Sequence, residues 1–293
     1  MRILDSHLHL WDPAILEYPW LEGPLRARFA ETELAAAVGA VDGERAFVFV
    51  QADCAEHQTL DEVEWVASLA ERVGVRGIVA GARLDRGAES VEHLDAVAQH
   101  PLVVGVRHLL QGEPAGLAGS AEFRAGAAAL AERRLTFDAC VRGAAQLRDV
   151  IALATDVPDL RIVLDHLGKP VVGTATEAAV PSTEWMDALT ALATHPQVFC
   201  KLSGLPAEAG GTWSARQMEP FFDVALDAFG AGRLMVGSDW PVSAVGASGV
   251  GDDALDATMI SSWTDAVASW AASRELDVDA IMWRNGAGFY GLD

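Results

Sequence analysis

Residues 3–13 read Ile3-Leu4-Asp5-Ser6-His7-Leu8-His9-Leu10-Trp11-Asp12-Pro13. The apolar start of this stretch predicts a strand, and two histidines stand two positions apart at its end. Because side chains alternate along a strand, both imidazoles are expected to point to the same face. Two convergent neutral imidazoles are a common beginning of a divalent-metal site. The alternative for so short a motif is that one histidine packs and the other is exposed.

Composition narrows the class of protein. The 293 residues are 51% hydrophobic, which suffices for one large core, and at this length such a core is usually an α/β barrel or an open α/β sheet. The net charge of −21 repels nucleic acid and anionic membranes, so we expect neither as a partner. The three cysteines, Cys54, Cys140 and Cys200, indicate no disulfide framework, and no apolar run reaches the roughly 20 residues of a membrane span. We therefore expect a cytoplasmic protein.

Eight apolar runs alternate with helical patterns along the whole chain. The runs begin at Ile3 and continue at 46–51, 77–81, 102–106, 135–141, 161–165, 197–202 and 233–237. Helical patterns cover 34–38, 60–73, 91–98, 123–134, 147–154, 185–193, 218–229, 263–272 and 278–285, and Thr59 with Glu62 predicts a capping box before the second of these. This alternation predicts a (β/α)8 TIM barrel, one α/β domain over residues 1–293. No Gly-x-Gly-x-x-Gly opens a helix after an early strand, which disfavours a dinucleotide-binding sheet.

The C-terminal ends of the strands are where a TIM barrel places its active site. Strands one and eight are neighbours in a closed barrel, so His7, His9 and Asp239 are expected to meet, with His166 following strand six. We take Asp239 and His166 as candidate catalytic groups. His7, His9 and Asp239 are candidate metal ligands, with His166 as a further one. Two alternatives stay open: Asp239 as a turn residue or helix cap, and His166 as a core histidine bonded to backbone.

Other polar and aromatic side chains near the strand ends are candidates for substrate binding. They are Trp11, Trp20, Gln51, Arg107, His108, Lys201 and Trp240. The tryptophans either stack on a sugar ring or flat lactone, or cover the barrel top. If Arg83 and Arg142 also face the cavity together with Arg107, a carboxylated lactone becomes the better substrate.

Several short motifs, taken in order, resemble the amidohydrolase superfamily, and more narrowly the branch called amidohydrolase 2. They are the opening Asp-Ser-His-Leu-His-Leu-Trp-Asp-Pro, Tyr18-Pro19-Trp20-Leu21, Gly105-Val106-Arg107-His108, Leu164-Asp165-His166-Leu167-Gly168-Lys169-Pro170, Lys201-Leu202-Ser203-Gly204, Gly237-Ser238-Asp239-Trp240-Pro241, and the ending from Asn285 to Leu292. The resemblance implies a lactonase that opens the ester of a small lactone, above all a sugar-acid lactone. It carries the active-site set onto His7, His9, His166 and Asp239.

The sequence departs from the binuclear members of that superfamily at two places. Strand four ends in Arg107-His108 and not in a bridging lysine or glutamate, and strand five ends near Cys140 and not in a histidine. The resemblance therefore implies one divalent ion, with zinc the first choice, or none, because some lactonases of this branch work without metal. The expected partner is a small-molecule lactone, and the expected assembly is a monomer or homodimer.

The expected chemistry is water attack on a lactone carbonyl. Asp239 accepts the water proton and returns it to the ring oxygen, while His166 or Arg107 polarises the carbonyl. One alternative is a metal-dependent decarboxylase of the same fold, with the substrate carboxylate against Arg107. Another is a sugar-binding barrel without catalysis, which would have no need for a water-activating base at position 239.

Overall fold

The predicted strands lie side by side in chain order. The computed structural model describes residues 1–39, 43–210, 212–245 and 255–292. The strands are β1 Ile3–Leu8, β2 Arg45–Val50, β3 Val75–Gly81, β4 Val103–Leu109, β5 Thr136–Cys140, β6 Ile162–Leu164, β7 Val198–Leu202 and β8 Leu234–Val236, each parallel to the next. The (β/α)8 barrel is confirmed. Within these four ranges, no helix combines the length and apolar character that a membrane crossing requires.

Most of the helices connect successive strands on the outside of the barrel, and the last two follow β8. They are α1 Glu31–Val38, α2 Thr59–Val73, α3 Ala88–Val97, α4 Ala121–Glu132, α5 Gly143–Asp156, α6 Thr183–Ala193, α7 Leu205–Glu208, α8 Ala215–Phe229, α9 Met259–Ser273 and α10 Asn285–Tyr290. The sequence did not predict the single turn α7. The pattern at 278–285 is a π-helical turn, Ala280–Arg284, that continues into α10.

The predicted capping box at Thr59 and Glu62 is wrong. Thr59 Oγ1 donates to the Glu56 carbonyl oxygen, and no side chain caps the start of α2. Glu62 is buried instead and accepts a hydrogen bond of 3.1 Å from the backbone N–H of Ala52, in the loop after β2. The spacing was typical of a cap, but burial against this loop gives the carboxylate a different partner.

The barrel closes between β1 and the segment after β8. Asp5 accepts a hydrogen bond of 2.7 Å from the backbone N–H of Ser238. The Asp239 N–H then donates to the His7 carbonyl oxygen at 2.7 Å, and the His9 N–H donates to the Trp240 carbonyl oxygen at 2.8 Å. These bonds fix the backbone of the two histidines directly beside the backbone of Asp239.

The C-terminal helix fills the opposite end of the barrel. Phe289 and Tyr290 join a buried apolar cluster with inner strand residues that include Leu4, Val163 and Met235. Each fully buried large side chain of this kind contributes about 1.5–3 kcal/mol of transfer free energy. The floor of the barrel is therefore closed by apolar packing, and the C-terminal ends of the strands remain for a polar site.

Candidate active site

Four buried side chains converge at the C-terminal end of the barrel, and we call them the four-residue centre: His7, His9, His166 and Asp239. The Nε2 atoms of His7 and His9 are 3.2 Å apart. Asp239 Oδ1 lies 3.4 Å from His9 Nε2, 3.6 Å from His166 Nε2 and 3.8 Å from His7 Nε2. Residues at the end of β1 and in the segments after β1, β6 and β8 thus meet around one carboxylate oxygen.

Two members of the centre have left-handed backbone conformations. The φ angle is 58° at Asp239 and 53° at His166, a region that non-glycine residues enter at a cost and that is enriched at functional sites. Gly204, with φ of 68°, lets the chain pass close to the imidazole of His166, since a Cβ at this position would lie 2.2 Å from Nδ1. The local backbone is therefore shaped around these side chains.

The protonation of His9 follows from its hydrogen bond. Its Nδ1 lies 2.7 Å from the Val50 carbonyl oxygen, which can only accept, so Nδ1 carries a proton, and in the neutral tautomer Nε2 carries a lone pair. That lone pair faces Asp239 Oδ1, which also accepts. Tetrahedral zinc with ligand distances of about 2.0–2.1 Å would separate its donor atoms by about 3.4 Å, close to the spacings found here. His7, His9 and Asp239 form a candidate ligand set.

Burial and mutual contact set the charges of the centre. Burial lowers the pKa of His166 to about 3 and holds the pKa of His7 well below its usual value, so both rings are neutral at neutral pH. Burial opposes ionisation of Asp239, but the imidazole of His166, whose Nε2 lies 3.6 Å from Oδ1, outweighs it, and the pKa of Asp239 lies below its usual range. His7 and His166 therefore offer neutral nitrogens beside one ionised carboxylate, a donor set that suits a divalent cation.

A buried ion cluster lies beneath the centre and comprises Lys201, Asp138, Asp165 and Tyr290. Lys201 Nζ is 2.5 Å from Asp138 Oδ2 and 3.0 Å from Asp165 Oδ1, and Tyr290 donates to Asp138 at 2.9 Å. Burial alone would lower the pKa of Lys201, but the two carboxylates hold it above its ordinary value. The side chain of Lys201 is 0% exposed, so it contacts the cluster and His7 and does not reach the barrel mouth.

A cavity of about 710 Å³ lies over the ends of β2, β3 and β4. Among the candidates for substrate binding, Trp20, Gln51, Arg107 and His108 line it. Arg107 donates through Nη2 to the Gln51 carbonyl oxygen, and its Nε is buried without a hydrogen-bond partner. Since Gln51 directly follows Val50, the cavity begins one residue from the carbonyl that orients His9.

His108 is held as a donor in the cavity wall. Its Nδ1 accepts from the Leu84 N–H at 3.2 Å, which leaves the proton on Nε2. Burial lowers the pKa of His108 to about 4, so the ring is neutral at neutral pH. Nε2 has no hydrogen-bond partner and lies 3.9 Å from Glu113 Oε1.

Two of the three candidate tryptophans lie in packed positions. Trp11 is fully buried, and its indole N–H contacts the Leu25 and Ala27 carbonyl oxygens. Trp240 packs edge-on against Phe29. These two rings cover the barrel top, whereas Trp20 lines the cavity.

The two further arginines differ in position. Arg83 lines the cavity, but its guanidinium is bonded to Asp85 and Glu113. Arg142 pairs with Glu208 and is not among the residues that line the cavity. The three arginines therefore do not form a common anion-binding wall.

Comparison with known proteins fixes the family. The family model described as Amidohydrolase matches residues 4–292. This chain is an amidohydrolase. It is 34% identical over 265 residues to a protein of Burkholderia multivorans named L-fucono-1,5-lactonase, with 84% of each chain covered. A Burkholderia ambifaria protein of the same name is 31% identical over 255 residues, covering 82% of this chain and 80% of the relative.

One solved amidohydrolase structure, also from Burkholderia multivorans and described with bound zinc, superposes with a TM-score of 0.80 at 31% identity over 100% of both chains. The resemblance drawn from the short motifs is confirmed at the level of the family. The match also agrees with the barrel, because the whole of the neighbour's chain is covered by this fold.

Three supporting residues of this amidohydrolase were not among the predicted site residues. Ser243 Oγ donates to Asp239 Oδ2 at 2.7 Å, and Ser203 Oγ lies 2.9 Å from His166 Nδ1. Asp165 Oδ1 lies 3.2 Å from His7 Nδ1. Asp165 and Ser203 carried a signal, since each belongs to a motif at a strand end, but a small polar residue in a loop has many other uses.

Proposed function

We propose that this amidohydrolase hydrolyses the ester bond of a small lactone, and that the lactone is that of a sugar acid. The observation that carries the proposal is an ionised Asp239 whose Oδ1 lies within 3.4–3.8 Å of three imidazole nitrogens. The cavity of about 710 Å³ is lined by Gln51, the residue after Val50, whose carbonyl oxygen contacts His9. Two relatives named L-fucono-1,5-lactonase support the substrate class. A sugar-binding barrel without catalysis would gain nothing from such a carboxylate.

His7, His9 and Asp239 would hold one divalent ion, with His166 as a further ligand. A neighbour described with bound zinc and the nitrogen-rich donor set both support zinc. Such an ion acidifies a bound water and polarises a carbonyl oxygen. In the alternative without a metal, Asp239 would still activate the water, and the imidazoles would bind the lactone carbonyl.

The residues of the chain supply the proton transfers. Asp239 Oδ1 accepts a proton from water as the water oxygen bonds to the lactone carbonyl carbon. The bond between that carbon and the ring oxygen then breaks, and Asp239 returns the proton to the departing oxygen, which becomes a hydroxyl. The product is a hydroxy acid that ionises in water. Arg107, or a proton-bearing His166, would stabilise the negative charge on the carbonyl oxygen.

The wall of the cavity supports an uncharged, hydroxyl-bearing substrate. Trp20 presents an aromatic surface, while Gln51, Arg107 and His108 present polar groups. The charge of Arg83 is already balanced by Asp85 and Glu113. A dicarboxylate would find too little free positive charge there, whereas a sugar lactone uses both surfaces.

We place the reaction in the cytoplasm. The enzyme would be a monomer or homodimer, and its partner a small lactone.

A pH-indicator assay with purified protein tests the proposal. We expect acid release from five- or six-carbon aldonolactones and slower release from long-chain acyl homoserine lactones and from a pyrone dicarboxylate. A preference for either of those two would refute the sugar assignment. Release of carbon dioxide from an aromatic acid, with no lactone opened, would instead identify the decarboxylase.

A further inference from the structure

His7 Nδ1 has two competing neighbours in the buried ion cluster. It lies 3.2 Å from Asp165 Oδ1, an acceptor, and 3.2 Å from Lys201 Nζ, a donor. A neutral imidazole carries one proton, so the partner of Nδ1 decides the state of Nε2. If Nδ1 donates to Asp165, Nε2 has a lone pair; if Lys201 donates to Nδ1, Nε2 carries the proton.

The two tautomers give the centre opposite properties. His7 Nε2 faces His9 Nε2 at 3.2 Å, and the Val50 carbonyl already fixes that atom of His9 as a lone pair. A proton on His7 Nε2 would therefore close the gap with a hydrogen bond between the rings. A lone pair there would instead bring two nitrogens and Asp239 Oδ1 together as acceptors, a donor set that suits a cation.

The contacts around His7 Nδ1 favour Asp165, the acceptor, as its hydrogen-bond partner. Lys201 Nζ is directed to the carboxylates, at 2.5 Å from Asp138 Oδ2 and 3.0 Å from Asp165 Oδ1, whereas Asp165 is fully buried and its Oδ2 has no hydrogen-bond partner. A buried carboxylate needs more than one donor, and Nδ1 of His7 lies 3.2 Å from Asp165 Oδ1. Histidine ligands commonly donate their second ring N–H to a carboxylate, which fixes the tautomer.

We propose that Asp165 is a positioning residue that accepts the Nδ1–H of His7 and thereby commits Nε2 of His7 to a divalent metal. Lys201 Nζ, 3.0 Å from Asp165 Oδ1, helps to hold this carboxylate in place. The inference concerns the same centre as the proposed function, but it can be measured without any lactone.

The first test compares zinc affinities of chelator-treated protein by competition with a chromophoric chelator. Asp165→Ala is expected to weaken zinc binding about 10- to 100-fold. Asp223→Ala is the control, because it removes a carboxylate that pairs with Arg274 outside the centre, and its affinity should stay within about threefold of wild type. Asp165→Asn, which keeps a neutral acceptor, should fall between the two. Equal losses in the two alanine variants would overturn the proposal.

The second test needs no variant at position 165. Long-range ¹H–¹⁵N spectra of the ¹⁵N-histidine-labelled, metal-free wild type report which ring nitrogen is protonated, with the His7 signals assigned as those missing from His7→Asn. We expect the proton on Nδ1. A proton on Nε2 would refute the role of Asp165 even if Asp165→Ala failed to fold. Absence of lactone hydrolysis beside the expected zinc and tautomer results would refute the proposed function alone.

Discussion

The hydroxyl of Ser243 donates to Asp239 Oδ2 at 2.7 Å, and the other carboxylate oxygen, Oδ1, is the one that faces the three imidazoles. The two carboxylate oxygens therefore have different roles. Oδ2 is held by Ser243, and Oδ1 is the reactive oxygen. Ser243 is four residues downstream of Asp239 and is itself buried. The carboxylate is thereby prevented from rotating away from the centre.

Removal of this hydroxyl should slow the reaction without preventing substrate binding. For Ser243→Ala we expect kcat for an aldonolactone to fall about tenfold, the value of one hydrogen bond to a charged group, with KM little changed. Steady-state kinetics measure both constants. Ser68→Ala, which removes an exposed hydroxyl bonded to a backbone carbonyl oxygen, is the control. A rise in KM with unchanged kcat would show that Ser243 does not act through Asp239.

Loss of the carboxylate itself should be far more severe. Asp239→Asn cannot accept the water proton, so we expect kcat/KM to fall about 10³-fold. Asp159→Asn, at an exposed position, should retain full activity. Circular dichroism of both variants separates catalysis from folding. Full activity in Asp239→Asn would refute the mechanism.

Metal content should depend on the imidazoles of the centre. Elemental analysis of protein purified without chelators is expected to give about one zinc per chain, and His9→Ala should lower this about tenfold or more, since it removes a ligand. His57→Ala, an exposed histidine outside the centre, should not change it. Two metals per chain would contradict the prediction. Activity that survives complete chelation would assign the reaction to the centre without metal.

Arg107 should contribute to substrate affinity, since it lines the cavity with a buried, unpaired Nε. For Arg107→Met we expect kcat/KM to fall about 10- to 100-fold, because the substrate loses a charged hydrogen-bond donor. Arg142→Met is the matched control, because its guanidinium pairs with Glu208 and does not line the cavity. Equal effects of the two substitutions would show that the substrate does not contact Arg107.

Glu62 should give stability a pH dependence. Burial raises its pKa to about 7, compared with about 4.3 in an unfolded chain. Because the folded pKa is the higher one, the stabilisation is complete below about pH 4 and is lost as the pH rises through 7. Relative to Glu62→Gln, the wild type should lose about 3 kcal/mol of unfolding free energy between pH 4.5 and 8.

Denaturant titrations at several pH values measure this difference. The glutamine can still accept from the Ala52 N–H, so the loop after β2 keeps its hydrogen bond. Glu64→Gln, an exposed position in the same helix, should follow the wild type at every pH. Parallel curves for the wild type and Glu62→Gln would show that the carboxyl group is not buried.

Strand positions could be predicted because strands covered on both faces are continuous apolar runs, and the polar residue that ends such a run lies at one end of the barrel. His7, His9, His166 and Asp239 followed from this logic alone. How deeply each side chain is buried could not be predicted from the sequence. Lys201 lies in a strand near the site, but only the packed structure shows that its long side chain ends against Asp138 and Asp165.

The sequence also could not show which side chains pack against their neighbours and which ones face the cavity. Trp11 and Trp20 belong to neighbouring segments, yet only Trp20 lines the cavity, because Phe29 and Tyr18 surround Trp11. Arg107 also lies within β4 and not after it, since the strand extends to Leu109 and pairs in register with β5. Such outcomes depend on contacts between distant parts of the chain.

The closure of the barrel has a consequence for the order in which the protein matures. Asp5 and Ser238, whose hydrogen bond joins the two ends of the sheet, are 233 residues apart. During synthesis on the ribosome, His7 and His9 emerge long before Asp239 exists. The centre can therefore be completed only after nearly the whole chain has been released, so its metal would be loaded onto a finished barrel and could not guide the early steps of folding.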